Sequence, residues 1–403
     1  MNDNREYQKS KLKNATREID NKQFSRKVIL HKGKKLVLFL LFVGIVIVVA
    51  LGYNIYEKNR VYTEYEVLSI SQLTQNADSE YLEFNGRLLR YGMDGIVYLE
   101  KDNSKVWEIS YKIRYPIVAL CKNYGAVAAS GGKDIYVFNE DGLQGNIKVN
   151  YPIKDISVAA QGAVAVTMES DGVNYLDIYD ADGEKKVGSK TMLEGNGYPL
   201  DSVISPDGQK LMVSYLDIAD EILESSIVFY NFSEVGQDYI WNMVGAFDDY
   251  YDDTIIPYVT FINDTTACAV GDDRLTVYGI EEIPEIMCDI QLEKELATFF
   301  YSDTYLGLVY DNRRNGGLYQ LEVYDTEGQR LLEGYRLDSD YEKIQFVSDH
   351  ILIYDNNSCK LLSLEGAEKF NYTFDKSFKL LEPLSLTNYI MVTNTTISEI
   401  KIK

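Results

Sequence analysis

GAVAVTMESDGVNYLDIYDADG, residues 162–183, decides how the rest of the chain is read. A small-residue apolar run (GAVAVT, 162–167) is followed by an alternating run that ends in an aromatic (LDIYD, 176–180), and then by an acidic turn with glycine. Asp180, Asp182 and Gly183 spell D-x-D-G, the opening of a calcium loop. Such a loop needs oxygen ligands at several further spaced positions. Here E-K-K-V-G follows, placing two cations where ligands would be wanted. As a turn the same residues make sense: Asp side chains accept local backbone N–H bonds and Gly takes the positive φ that reverses the chain.

The pattern recurs along the chain. Second strands of the same kind read GAVAAS (125–130), QKLMVSY (209–215), TACAV (266–270), YLGLVY (305–310), HILIY (350–354) and YIMVT (389–393). Third strands follow at IYVFN (135–139), IVFYN (227–231), LTVYG (275–279), LEVYD (321–325) and CKLLSL (359–364), with an earlier copy in 86–100. Asp141 and Gly142, Asp182 and Gly183, Asp207 and Gly208, and Glu327 and Gly328 punctuate the units as structural turns. Units open near Tyr81, Pro116, Pro152, Pro199, Pro257, Leu296, Lys343 and Leu380, at gaps of 35 to 58 residues. That spacing brackets the four-stranded blade of a β-propeller. The last unit has three strands, and VYTEYEVLSI at 61–70 can supply its missing outer strand, pairing an edge otherwise left open. The expectation is an all-β propeller of about eight blades, with seven as the alternative, over residues 81–403.

VISPDGQKLMVSY at 203–215 resembles the S-P-D-G signature of TolB-type and WD40-like propeller repeats. The turns VFNEDG, IYDADG and VYDTEG resemble those of quinoprotein-like blades. The layout as a whole is similar to the uncharacterised membrane-anchored propellers of clostridia and related Gram-positive bacteria. The resemblance implies a fold and leaves function open. Quinone-carrying members rely on adjacent cysteines and stacking tryptophans. This chain has no adjacent cysteine pair and only Trp107 and Trp241, so no cofactor is assigned.

Ahead of the repeats, residues 1–35 hold eleven Lys/Arg against four acids, a local charge of +7 in a chain of net −22. The remainder therefore carries −29, which disfavours nucleic acid as a partner. LVLFLLFVGIVIVVALGY (36–53) has no charged side chain and is about the minimum length for one helical crossing. Lys32, Lys34 and Lys35 before it, and Tyr53 and Tyr56 after it, predict a cytoplasmic N-terminus. The expected organisation is a basic tail (1–35), a single-pass transmembrane helix (36–56), a linker with the ring-closing strand (57–80) and an extracytoplasmic propeller. The competing reading of the apolar run is a cleaved signal peptide, with Ala50 and Gly52 as the small residues of a cleavage site. The tail would lie on anionic lipid.

Enzyme signatures are sparse. His31 precedes the apolar run, leaving His350 as the one histidine beyond it. Cys121, Cys268, Cys288 and Cys359 show no C-x-x-C spacing and sit in apolar strand-like runs, as buried thiols do. No catalytic, cofactor or metal residue is assigned. The most distinctive stretch is AFDDYYDDTIIPY (246–258), in which Asp248, Asp249, Asp252 and Asp253 flank Tyr250 and Tyr251. It reads as an inserted loop on one rim, suited to a basic partner or a hard cation, against the plainer reading of a solvated acidic loop. The functional expectation is a non-enzymatic binding or assembly scaffold at the cell envelope, for a protein, peptide or glycan. Carboxylate-based hydrolase or lyase chemistry in the channel, and sensing through the tail, are the alternatives.

Overall fold

Among the described residues there are eight four-stranded antiparallel sheets, seven of them pairing their strands in chain order and the eighth taking its outer strand from ahead of the first. The computed structural model describes residues 59–73, 79–192, 197–219, 222–313 and 317–403, and ahead of them 7–8, 11, 17, 41–49 and 52. Blade 1 covers residues 80–110, blade 2 116–148, blade 3 153–192 and blade 4 198–252. Blade 5 covers 258–291, blade 6 296–337, blade 7 343–373, and blade 8 joins 378–402 to 65–72. Most of the tail and most of the expected anchor lie outside the described residues. Residues 41–49 are helical, and among the described residues no helix is long and apolar enough to cross a membrane.

First strands lie at the axis. Ile153–Val158 packs on Pro116–Cys121 and on Tyr198–Ile204, Tyr198–Ile204 on Tyr258–Phe261, Leu296–Tyr301 on Lys343–Val347, and Glu80–Phe84 on Phe378–Pro383. Because consecutive strands are antiparallel, the one-to-two and three-to-four turns of every blade leave on one side of the ring. The two-to-three turns and the links between blades leave on the other. We call these the turn face and the link face.

The apolar periodicity of the strands is satisfied between blades. Leu89, Ile96 and Tyr98 of blade 1 share a core with Val127 and Phe138 of blade 2. Val137 and Ile147 of blade 2 meet Ile156 and Val166 of blade 3. The same sharing runs on through every neighbouring pair to Leu88 and Val97 of blade 1 against Leu380 and Val392 of blade 8. Small residues in the second strands admit large neighbours. A Cβ at Gly307 would stand 2.1 Å from the Phe300 ring, and one at Gly125 2.4 Å from the Phe138 ring.

The aromatic that ends a third strand marks a recurring irregularity. Pairing to the outer strand slips at Tyr98, Phe138, Tyr179, Tyr230, Tyr278 and Tyr324, and at Leu362 in blade 7. A bulge there increases the local twist.

The ring closes with strands from both ends of the repeat region. Tyr65–Gln72 pairs antiparallel with Thr396–Ile402, from Tyr65 opposite Ile402 to Gln72 opposite Thr396. The Tyr62 N–H donates to Lys369 O at 2.7 Å, and the Lys403 N–H donates to Glu64 O at 2.7 Å. Tyr62 is buried in the core between blades 7 and 8, and the Tyr65 ring meets those of Tyr372 and Phe374 edge-on at 5.1 and 5.0 Å. The chain therefore enters the ring on the turn face.

A chain beginning at residue 59 should unfold in urea as cooperatively as the full chain, whereas one beginning at residue 75 leaves Thr396–Ile402 as an open edge. The shorter form should self-associate and unfold at a lower urea midpoint, as read by circular dichroism and sedimentation; equal behaviour of the two would refute the closing role. Gly307→Ala should cost about 1–3 kcal/mol in the same assay, because the buried Phe300 ring must shift.

Candidate functional sites at the axis and on the rim of blade 4

Polar side chains on the first strands stitch neighbouring blades around the axis. Lys154 Nζ donates to the Tyr198 hydroxyl at 2.6 Å and to Pro199 O at 3.2 Å, and the Tyr198 hydroxyl donates to Glu169 Oε2 at 2.8 Å. Asp201 accepts the Val259 N–H on Oδ2 at 2.8 Å and the Ser202 N–H on Oδ1 at 2.8 Å. Thr260 donates to the Tyr301 hydroxyl at 2.8 Å, Thr298 and Tyr341 share a 2.6 Å hydrogen bond, and Lys343 pairs with Glu382 at 2.8 Å. These bonds join blades 3 to 4, 4 to 5, 5 to 6, 6 to the link that leads into 7, and 7 to 8 in turn.

Three carboxyls in this girdle are harder to ionise than usual. Burial, opposed by the Val259 N–H and reinforced by the Asp155 carboxylate, pushes Asp201 up to about 6. Burial also raises Asp155 and Glu83. Burial lowers the Lys154 ammonium against the pull of Glu169, Asp155 and Asp201.

The stretch expected as an acidic loop is strand. Met243–Asp252 is the outer strand of blade 4, with Tyr251 opposite Ser225 and Phe247 opposite Ile227. Three residues on one strand therefore face one on the other, and this bulge carries Asp248 and Asp249 into solvent. Tyr251 is fully buried, its hydroxyl bonded to that of Tyr278, and the Tyr250 hydroxyl bonds Asp289. The tyrosines hold the strand down and are not free contact area, which is why an insertion loop does not form. Asp252 and Asp253 are exposed at its end on the link face, with Asp253 at φ 59°. Among the described residues no group of three or more His, Cys, Asp or Glu is arranged to hold a metal ion.

Gly142, Gly183, Gly208 and Gly328 all have positive φ, at 114°, 95°, 67° and 84°. The side chain that organises each turn stands three residues before the glycine. Asp180 Oδ1 accepts the Glu184 N–H at 2.9 Å, Asp325 Oδ1 those of Glu327 and Gln329 at 3.0 and 2.8 Å, and Asn139 Oδ1 that of Asp141 at 2.8 Å. Asp182 Oδ1 adds a second acceptor to Glu184 at 3.1 Å, and Lys186 neutralises Asp180 at 2.8 Å. The sequence signal was available, since the first turn position favours Asp, Asn and Ser. Asp207 is a hub of a different kind. It takes the Ser205 hydroxyl at 2.5 Å, the Gln209 N–H at 3.0 Å and the buried Lys210 ammonium at 2.8 Å, and Lys210 also reaches Asp264 O at 3.0 Å in blade 5.

His350 bonds its neighbour Asp349 at 2.8 Å through Nδ1. All four cysteines are free thiols, and burial raises each of them, Cys288 to about 11 and Cys359 to about 12. A link-face pocket of about 150 Å³ between blades 6 and 7 is lined by Asp340, Asp355, Cys359 and Lys360. Its acids are occupied, Asp355 by Asn357 and Ser358 and Asp340 by the Tyr319 hydroxyl.

What sequence reading missed lies between the third and outer strands of blade 4. Two 3₁₀ turns, Val235–Asp238 and Ile240–Asn242, replace the usual tight turn. They hold Ile240 78 % and Trp241 84 % exposed, with Trp241 and Asn242 both left-handed at φ 60° and 59°. The segment is internally bonded, Tyr239 N–H to Gly236 O and Asn242 N–H to Tyr239 O, both at 3.1 Å. Gly236 is required, because a Cβ there would stand 1.5 Å from Asn231 O.

The chain belongs to a family of unknown function, DUF5711, whose family model matches residues 58–402. No curated protein matches it. Among solved structures it is similar to BamB from Moraxella catarrhalis, at 10 % identity and a TM-score of 0.52, over 84 % of this chain and 100 % of that one. It is likewise similar to Sqt1 of Chaetomium thermophilum, at 12 % identity and a TM-score of 0.52, over 83 % and 98 %. These likenesses establish the propeller fold, and the topology sets the blade number at eight.

Asp201 gives the fold a signed pH dependence. Its folded pKa lies above the unfolded value, so its contribution is fully present below the unfolded pKa of about 4 and lost as pH rises toward 6. Unfolding free energies of the wild type from urea titrations should fall across that window relative to Asp201→Asn, by about 3 kcal/mol. Parallel pH profiles for the two proteins would show that folding does not shift the Asp201 pKa.

Proposed function

We propose that this protein is a membrane-tethered, extracytoplasmic binding scaffold, in which the propeller presents a fixed polypeptide-binding surface at the cell envelope. The observation that carries this reading is the exposed Ile240 and Trp241 pair, held out on a bonded turn rather than folded back onto the ring. Large aromatic and aliphatic anchors of this kind are what protein interfaces bury at their centre. The apolar run at 36–53 and the basic residues before it support the tether and its orientation.

A second reading, hydrolase or lyase chemistry through axial carboxylates, draws on the raised Asp201 and its neighbour Asp155. Asp201, however, already uses each oxygen to hold a backbone N–H of an axial strand. That is the work of a structural carboxylate, and it favours the scaffold.

Two measurements test the scaffold. With Glu140→Cys on the propeller and Ser10→Cys on the tail, a membrane-impermeant maleimide added to intact cells should label only the first, and the reverse pattern refutes the orientation. With a photocrosslinking residue at position 241 in the full chain, in its own membrane, irradiation should yield a discrete polypeptide adduct that disappears when Ile240 and Met243 become Ser. An adduct profile identical to that of a crosslinker at Glu140 would sink the reading.

A further inference from the structure

The chemistry around Trp241 specifies the partner, and this step rests on the scaffold reading above. Asn231 ties two rim segments together. Its side-chain amide donates to Glu282 O at 3.1 Å in blade 5, and its carbonyl oxygen seats Gly236 of the blade 4 turn. Gly245, just beyond Met243, lies against Pro284, where a Cβ would stand 2.4 Å from the ring. The blade 4 turn and outer strand that carry exposed Ile240, Trp241 and Met243 are thus tied to the blade 5 segment that carries exposed Ile283 and leads to exposed Met287. Exposed apolar positions therefore gather on two joined rim segments, a rim patch.

The border of that patch has a single sign. Residues 232–243 contain Glu234 and Asp238, and residues 281–287 contain Glu281, Glu282 and Glu285, with no Lys, Arg or His in either, a local charge of −5. All five acids are exposed, and among the described residues none is in an ion pair, whereas elsewhere on the ring Asp177, Asp207 and Glu382 each have a lysine. An unneutralised acidic border repels an anionic lipid surface and attracts a basic one.

We infer that this patch docks a polypeptide segment in which apolar side chains cover Ile240, Trp241 and Ile283 while Lys or Arg residues on either flank meet the five acids. The left-handed backbone at Trp241 and Asn242, with the bonds inside the turn, sets the path of the main chain before binding. Little ordering is then needed when a partner arrives.

The test uses the full chain in phosphatidylcholine nanodiscs, with a phage-displayed random dodecapeptide library as the probe. Panning runs in parallel on the wild type, on Ile240→Ser/Trp241→Ser, and on Glu281→Gln/Glu282→Gln/Glu285→Gln. These positions are exposed, and circular dichroism confirms that each variant is folded. The expected result is enrichment on the wild type of peptides that interleave Lys or Arg with Leu, Ile or Phe. Each selected peptide should bind either variant about tenfold or more weakly, and lose affinity as salt rises. Selected peptides that lack basic residues, or a blue shift of Trp241 emission on phosphatidylglycerol vesicles without one on peptide, overturn the assignment. Equal binding of the same peptides to all three proteins removes this surface but leaves the scaffold reading intact. Absence of any selected peptide, together with absence of the crosslinked adduct, removes both.

Discussion

No blade of this ring can bury its own apolar faces, and the fold depends on that constraint. A four-stranded sheet has two sides, and here each side is covered only by the next sheet. The buried residues accordingly form eight clusters, each drawn from two consecutive blades. Stability is then a property of neighbouring interfaces, as in repeat proteins generally, but with one added condition. A linear array would leave two faces bare, whereas joining Tyr65–Gln72 to Thr396–Ile402 turns the last interface into the first.

That condition explains where polar chemistry appears. At the axis the first strands crowd together, and backbone and side-chain groups there lose water. Lys154, Asp201, Thr260 and Lys343 each satisfy a group on the neighbouring blade, and Thr298 one on the link into it. The raised pKa of Asp201 is thus a by-product of closure, an acid placed where an N–H acceptor was needed and solvent was scarce. The rim has no such demand. A three-to-four turn can lengthen without disturbing any interface, and blade 4 uses that freedom to carry Ile240 and Trp241.

Much of this architecture could be read directly from residues. Openings expected near Pro116, Leu296 and Lys343 begin strands at those residues, and Pro152, Pro199 and Pro257 fall within one residue of a strand start. Period and turn chemistry are local properties, so one sequence suffices to show them. The turn in blade 1 was passed over because Asn103, at φ 65°, takes the place of glycine, with the Asn103 N–H bonded to Glu100 O as Gly183 is to Asp180. The 246–252 segment misled for a different reason. Its composition is that of a loop, while its pairing is set by Tyr251 finding Tyr278 across a blade boundary, a contact between residues 27 apart in sequence. The rim patch was hidden likewise, since the segments that carry Ile240 and Ile283 are joined through Asn231 and through Gly245 against Pro284, contacts between residues 51 and 39 apart in sequence.

The acidic surplus of the propeller now acquires a location. The net −29 of residues 36–403, spread evenly, would favour solubility and little else. Where lysines are close, as for Asp180 with Lys186 and Asp207 with Lys210, the acids serve turns. In the segments 232–243 and 281–287 there is no Lys or Arg, and among the described residues no ion pair involves their acids, although Lys and Arg are abundant elsewhere in the chain. An acid without an internal partner next to an exposed indole is unsatisfied in charge and in area at once, and a single basic, apolar segment from outside relieves both.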